Sequence, residues 1–324
     1  MFPTLRYWLV AVQAVFVLAL AAIASRPVPF EYSRPIGAAL IIWVVGLLFL
    51  MVRTMVTSVR IDRPLSSFAM GMKAESAIIA KAFGYALLLG LAMALHGWAK
   101  TMIPEVGGYW ADPMLADFDH MLFGQDPWQL FRIGSLGVIF AKVYVCWFPV
   151  TFGMMGLLAF SKRDHSTLLT AFLAILIIIG TIGQYVLPSA GPIFFERLGL
   201  GGRFDQMLAT TDSSATFLAD YLWRNYQSGG ANLGTGISAM PSMHVTLAVW
   251  TMFAARAFWR PLAIPAAAYA LIIYINSVAS GWHYATDGIV GGVLAAATCL
   301  WLAKREAGPA SPALEGSRPA GALA

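Results

Sequence analysis

Two short segments hold the residues most able to do chemistry: Pro241-Ser242-Met243-His244 and His283-Tyr284-Ala285-Thr286-Asp287. Each lies at the edge of a long apolar run, in a chain with only 11% charged residues. A His followed four residues later by an Asp falls on one helical face, so the two side chains can meet. Asp287 would then accept a hydrogen bond from His283 Nδ1, fix the tautomer and leave Nε2 free as a nucleophile. His244, near the same boundary, would protonate a departing oxygen. Nucleophile, orienting carboxylate and acid are what phosphoryl transfer without a metal requires. Pro241 is read as the first helical residue, so that the amides of Ser242, Met243 and His244 face an anion. The Ser242 hydroxyl would add a donor to phosphate. No cofactor or metal is expected.

These residues need a scaffold, and the composition says which kind. The chain has 324 residues, 59% of them hydrophobic, with a mean hydropathy of +0.71. Soluble domains carry about 25% charged residues, so the chain reads as an all-α integral membrane protein. Eight apolar runs approach the ~20 residues a span needs: 5–25, 36–56, 77–98, 134–160, 167–187, 241–258, 261–280 and 284–303. The first is too long for the core of a cleaved signal and reads as a retained anchor. The net charge of +5 is scattered over loops, so no nucleic-acid partner is implied. Cys146 and Cys299 lie in apolar runs and imply no disulfide framework.

Eight spans put both termini on one side. Arg6, Arg53, Arg60, Arg63, Lys73, Lys162, Arg163, Arg256, Arg260, Lys304 and Arg305 then share one face. Lys and Arg in short loops favour the cytoplasm, so both termini are placed there, in a bacterial inner membrane. His244, His283, Asp287 and Pro188-Ser189-Ala190-Gly191-Pro192 all reach the external, periplasmic face. Two long segments lie on that face. The first, 110–128, mixes acids with Phe and Trp and reads as an interfacial amphipathic helix ended near Gly124 and Pro127. The second, 188–240, reads as an ordered lid in which Asp212 caps a helix holding Phe217, Leu218, Tyr221, Leu222 and Trp223.

Plainer readings stand beside these. A single interfacial His is more often an anchor or a packing residue. His-x-x-x-Asp occurs by chance, and Pro-Ser before an apolar run is often only a helix start. His96, His120 and His165 have no partner pattern and read as interfacial or loop residues. Lys142, within the fourth span, could snorkel, pair or bind an anion.

The segments Ala239-Met240-Pro241-Ser242-Met243-His244 and His283-Tyr284-Ala285-Thr286-Asp287 resemble the type-2 phosphatidic acid phosphatase superfamily. The closer resemblance is to its inositol phosphorylceramide synthase-like, inositolphosphotransferase branch. Tyr185 to Pro192 looks like that branch's proline-rich element, and Asp119 to Pro127 like a segment ahead of it. The resemblance implies a six-helix catalytic core without a metal, His283 as nucleophile backed by Asp287, and His244 as acid. The superfamily's Lys-x6-Arg-Pro element is missing, and position 277 is Ser277 where the pattern has Arg. Arg203, Arg197 or Lys142 are candidate replacements for these phosphate-holding cations. Arg203, Ser242 and Tyr185 complete the expected substrate contacts.

The division expected is N-terminal spans over 1–109, a catalytic core over 110–303 with the lid 188–240, and a disordered tail over 304–324. The expected function is a lipid phosphotransferase at the external leaflet working through phosphohistidine. Its donor would be a lipid phosphate or phospholipid, and its acceptor a lipid or polyol alcohol. A phosphatase acting on phosphatidic acid or polyprenyl phosphate is the alternative. Readings of another class are a haem-binding electron carrier, with His244 and His283 as axial ligands, and a non-catalytic lipid-binding protein.

Overall fold

The computed structural model describes residues 2–59, 61, 63–132, 134–229 and 234–307. Among them every regular element is helical. In chain order the helices are α1 (Phe2–Ile23), α2 (Ser33–Ser58), α3 (Pro64–Ala74), α4 (Ser76–Val106), α5 (Asp112–Phe123), α6 (Gly137–Val145) and α7 (Trp147–Ala159). There follow α8 (Ser166–Ala174), α9 (Asp205–Leu208), α10 (Ser213–Ser228), α11 (Met243–Phe258), α12 (Ala263–Ala279) and α13 (Ala285–Ala307). A π-helical stretch, Ile175–Ile182, prolongs α8.

Six segments among the described residues are long and apolar enough to cross a membrane: Thr4–Ile23, Ser33–Ser58, Ser76–Val106, Ser166–Tyr185, Arg260–Ala279 and Ala285–Glu306. The α6–α7 pair adds a seventh as one span bent by 43°. The remaining run, α11, has 16 residues. At 1.5 Å per residue it is about 24 Å long, short of the ~30 Å hydrocarbon layer. Its Leu247, Ala248 and Trp250 are fully enclosed by other helices. By contrast, Ile41, Val45, Phe49 and Val52 recur along α2 and are exposed, as a face turned to lipid requires.

Aromatic packing fixes the centre. Phe172 of α8 stands edge-on to both Phe152 of α7 (5.7 Å) and Trp250 of α11 (4.8 Å). Trp250 also donates to the Leu168 carbonyl at 2.9 Å, which satisfies its one polar atom in an apolar interior. Gln13 of α1 ties in α4 and the π-helical stretch, its amide nitrogen donating to Ala92 O and Thr181 Oγ1, both at 2.9 Å.

Glycines let α13 approach α11. A Cβ on Gly291 would lie 2.2 Å from Thr246 Oγ1 and 3.0 Å from Ser242 O. This close approach, of the small-residue kind that packs membrane helices, lets the Ser242 amide donate to the Asp287 carbonyl at 3.1 Å. The basic helix ends gather at the other end of the bundle. Arg53, Lys162 and Arg163 line one cavity there, and Arg163, Arg256 and Arg260 line its neighbour.

The 110–128 segment is the helix α5, ending on Gly124 in the left-handed region, φ 73°. It is not merely interfacial, because Asp112, Leu115, Ala116 and Asp119 are buried. Within 188–240, Asp212 caps α10 by accepting from the Ser214 amide at 2.9 Å. The expected tail starts too early: α13 continues through Ala307, and positions 308–324 lie outside the described residues.

Candidate active site

His244 lies in the first turn of α11, and His283 in the tight connection between α12 and α13. The fold brings them into contact, with His283 Nε2 3.4 Å from His244 Nδ1. His283 Nδ1 is 2.9 Å from the Ala239 carbonyl. A carbonyl can only accept, so Nδ1 carries the proton and Nε2 of the neutral ring holds the lone pair. Nδ1–H of His244 then points at that lone pair. Burial, aided by the positive charge of Lys100 against the raising effect of the Ala239 hydrogen bond, pushes His283 down to about 3. The ring is therefore neutral at physiological pH, as a nucleophile must be.

Asp287 departs from the expected geometry. Its Oδ2 is 3.6 Å from His283 Nδ1 and instead accepts from the Tyr284 amide at 2.9 Å. The cause is the helix boundary. Because α13 begins at Ala285, His283 precedes the helix and does not share a helical face with Asp287. The Ala239 carbonyl orients the ring, while Asp287 stays fully buried beside it, with Oδ1 lacking a hydrogen-bond partner among the described residues.

Local structure gives four further residues a different place from the one expected. Pro241 precedes the helix, whose first residue is Met243 and whose N-cap is Ser242. The Ser242 hydroxyl accepts from the Val245 amide at 3.4 Å, and its own amide is bonded to Asp287 O, so both groups serve the fold. Tyr185 donates to the Ala99 carbonyl at 2.5 Å and packs edge-on to Phe16, which makes it an anchor for α4. Arg203 is held by Asp117 at 2.6 Å and Asp126 at 2.7 Å, and its charge is matched by theirs. Of the other candidate cations, Arg197 pairs with Asp220 at 2.6 Å, and Lys142 is exposed on α6.

Two acids of α5 hold the site in a way that the sequence reading missed. Asp112 accepts from the amides of Ala190 (2.8 Å) and Gly191 (2.9 Å) and from the Tyr284 hydroxyl (2.8 Å). It thereby ties the proline-rich segment to the residue after His283. Asp119 accepts from the amides of Ala285 (2.5 Å) and Thr286 (3.0 Å), the first turn of α13. A carboxylate on those amides is favoured by the helix dipole. Burial raises both carboxyl groups above the ordinary range, and these hydrogen bonds pull them back. The proline-rich segment is also fixed from the other side: Ser189 O accepts from the Ala239 amide at 2.8 Å. Gly191, at φ 99°, is pressed so closely to Trp282 O that a Cβ would come within 2.5 Å of it.

His244 is boxed by the bend between α6 and α7. Tyr144 stacks on it at 4.9 Å, and Trp147 lies 4.6 Å away and donates to its carbonyl at 2.9 Å. The other side of His244 lines a largely apolar cavity of about 540 Å³, shared with His96, Lys100, Met243 and residues of α2. His283 itself is 4% exposed. A phosphoryl group does not fit between nitrogens 3.4 Å apart, so a phosphate reaches Nε2 beside the contact or after the His244 ring turns aside. Among the described residues no group of three or more His, Cys, Asp or Glu side chains is arranged to hold a metal ion.

A family model described as the PAP2 superfamily matches residues 115–301, more than half of the chain. The match contains both histidines, Asp119 and Asp287, and leaves α1 to α4 outside it. No curated protein and no solved structure matches the chain.

Proposed function

The chain belongs to the PAP2 superfamily of phosphatase- and phosphotransferase-type enzymes acting on lipid phosphates, and we propose that it is a membrane phosphotransferase working through phosphohistidine. His283 Nε2 attacks phosphorus, forming the N–P bond as the P–O bond to the leaving alcohol breaks. His244 swings its Nδ1–H from His283 to that oxygen and protonates it. The acceptor hydroxyl then gives its proton to His244 and attacks phosphorus, and the N–P bond breaks. With a diester donor the intermediate keeps the head group. The observation that carries this reading is the pair itself. One imidazole has its Nδ1 pinned by a carbonyl and its Nε2 lone pair facing the Nδ1–H of the other.

Transfer is favoured over hydrolysis because His283 is buried and the neighbouring cavity is apolar, which keeps water from the intermediate. The inositol phosphorylceramide synthase-like placement rests on the segments Ala239 to His244 and Tyr185 to Pro192. The gathering of basic helix ends opposite the histidines supports an external site.

The test uses purified protein in vesicles containing phosphatidic acid and, separately, a phospholipid donor with an added alcohol acceptor. A new phosphorylated or head-group-bearing product, insensitive to chelators and reduced more than about a thousandfold by His283→Gln, is the result expected. Release of inorganic phosphate alone would assign the phosphatase reading instead. Wild-type turnover in His283→Gln, or a Soret band with no turnover, would overturn the proposal.

A further inference from the structure

The cations expected to hold phosphate are matched by carboxylates or lie on the exposed face of α6, yet the cavity beside His244 does contain a cation. It is Lys100 of α4, outside the region that matches the family. We infer that Lys100 is the phosphate-binding residue of this site, and that α2 and α4 complete the active site by receiving the hydrocarbon chain of a lipid phosphate. The inference rests on the phosphotransfer reading of His244 and His283.

Four observations support it. First, Lys100 and His244 line the same cavity, whose remaining wall is mostly apolar. A phosphate brought to His244 would share this cavity with the lysine. Second, among the described residues no carboxylate pairs with Lys100, in contrast to Arg203 and Arg197. Glu31 also lines the cavity, but it accepts from the Ser33 hydroxyl (2.5 Å) and the Arg34 amide (3.1 Å). Third, the charge of Lys100 is felt at His283 as well as within the cavity, so it stands near both reacting rings.

The fourth observation concerns how the backbone fixes Lys100 in place. Pro104 lies within α4, four residues on, and has no N–H to bond the Lys100 carbonyl. The loop residue Gly236, at φ 93°, docks against this turn, where a Cβ would come 2.6 Å from Lys100 Cβ and 3.0 Å from its carbonyl carbon. The same loop continues to Ala239, whose carbonyl orients His283. One residue earlier, Tyr185 holds the Ala99 carbonyl. Lys100 is thus linked through backbone to the nucleophile it would serve. The apolar wall explains the substrate class. Ala39 and Ile42 of α2, Leu89 and Met93 of α4, and Phe148 and Phe152 of α7 offer nothing to a sugar phosphate and suit a long alkyl chain.

The experiment measures phosphate binding apart from turnover. Full-length protein is titrated with inorganic phosphate, following the fluorescence of Trp98 and Trp147, both in the cavity wall. Wild type and His283→Gln are expected to bind alike. Lys100→Met should bind 10- to 100-fold more weakly, the value of a hydrogen bond to a charged group, and Lys100→Arg should recover most of that loss. With phosphatidic acid, Lys100→Met should raise KM by a similar factor. In the unmodified protein, phosphate should slow acylation of the Lys100 amine, a readout that needs no variant to fold. Wild-type phosphate affinity in Lys100→Met, no binding by the wild type, or no protection of Lys100 would each overturn the inference. Weakened phosphate binding in Lys100→Met, with no turnover by the wild type, would keep Lys100 as an anion site and remove the phosphotransfer reading.

Discussion

Replacing Asp119 removes a carboxylate that never touches the reacting atoms yet should disable them. Its two oxygens accept from the amides of Ala285 and Thr286, and the residue is 2% exposed. In Asp119→Ala both amides lose their partner in a place where water cannot replace it. Each hydrogen bond to a charged group contributes about 1.5–3 kcal/mol, so the first turn of α13 should lose roughly 3–6 kcal/mol. Asp119→Asn keeps one acceptor oxygen and should lose about half of that. His283 lies two residues before Ala285, and its amide is tied to Ser277 O at 3.1 Å. Loosening the turn therefore moves the imidazole, and a misplacement of about 1 Å costs on the order of a hundredfold in rate. The assay pairs kcat with hydrogen exchange of the 283–288 amides. The order of activity should be wild type, then Asn, then Ala, with protection at Ala285 and Thr286 lost in the same order. If Asp119→Ala kept both its protection and its rate, α5 would not position the nucleophile.

Other predictions concern packing and protonation. Gly291→Ala places a methyl 2.2 Å from Thr246 Oγ1, an overpacking worth about 1–3 kcal/mol. It should lower Tm and kcat together, and adding Thr246→Ala should restore part of both; a double variant no better than Gly291→Ala would contradict that contact. His283 is held at about 3 in the folded state, against about 6.5 when unfolded. Its folded pKa is depressed, so the stability it confers is present above pH 6.5 and lost as pH falls towards 3. The slope can reach about 1.4 kcal/mol per pH unit. Melting between pH 4 and 6.5 should show it in the wild type and lose it in His283→Gln; equal slopes would mean that the ring titrates normally. Asp287→Asn should leave Tm near wild type, because Oδ2 can still accept from the Tyr284 amide. It should slow turnover strongly by replacing the carboxyl group 3.6 Å from the His283 ring; unchanged turnover would make Asp287 purely structural.

The helix runs and the histidine pair were legible because they depend on local composition and on which side each span starts. The Asp212 cap was legible because it is decided within three residues. The partner of His283 was not, since it depends on where α13 begins, and the Tyr284 amide competes for the carboxylate. The roles of Asp112 and Asp119 depend on contacts across more than 70 residues. A signal was nevertheless present: Asp112, Leu115, Ala116 and Asp119 fall on one helical face. Acids on the apolar face of an amphipathic helix have to find buried donors. Arg203 was misleading for the opposite reason, because Asp117 and Asp126 come near it only once α5 is docked.

The proposed chemistry turns on a bond from His283 Nε2 to phosphorus. Brief reaction with a donor labelled on phosphorus, followed by an alkaline quench and peptide mapping, tests it directly. The expected result is an acid-labile, base-stable label on His283, absent in His283→Gln and persisting longer in His244→Ala. Label on His244, or turnover with no labelled His283 at any time, would contradict it.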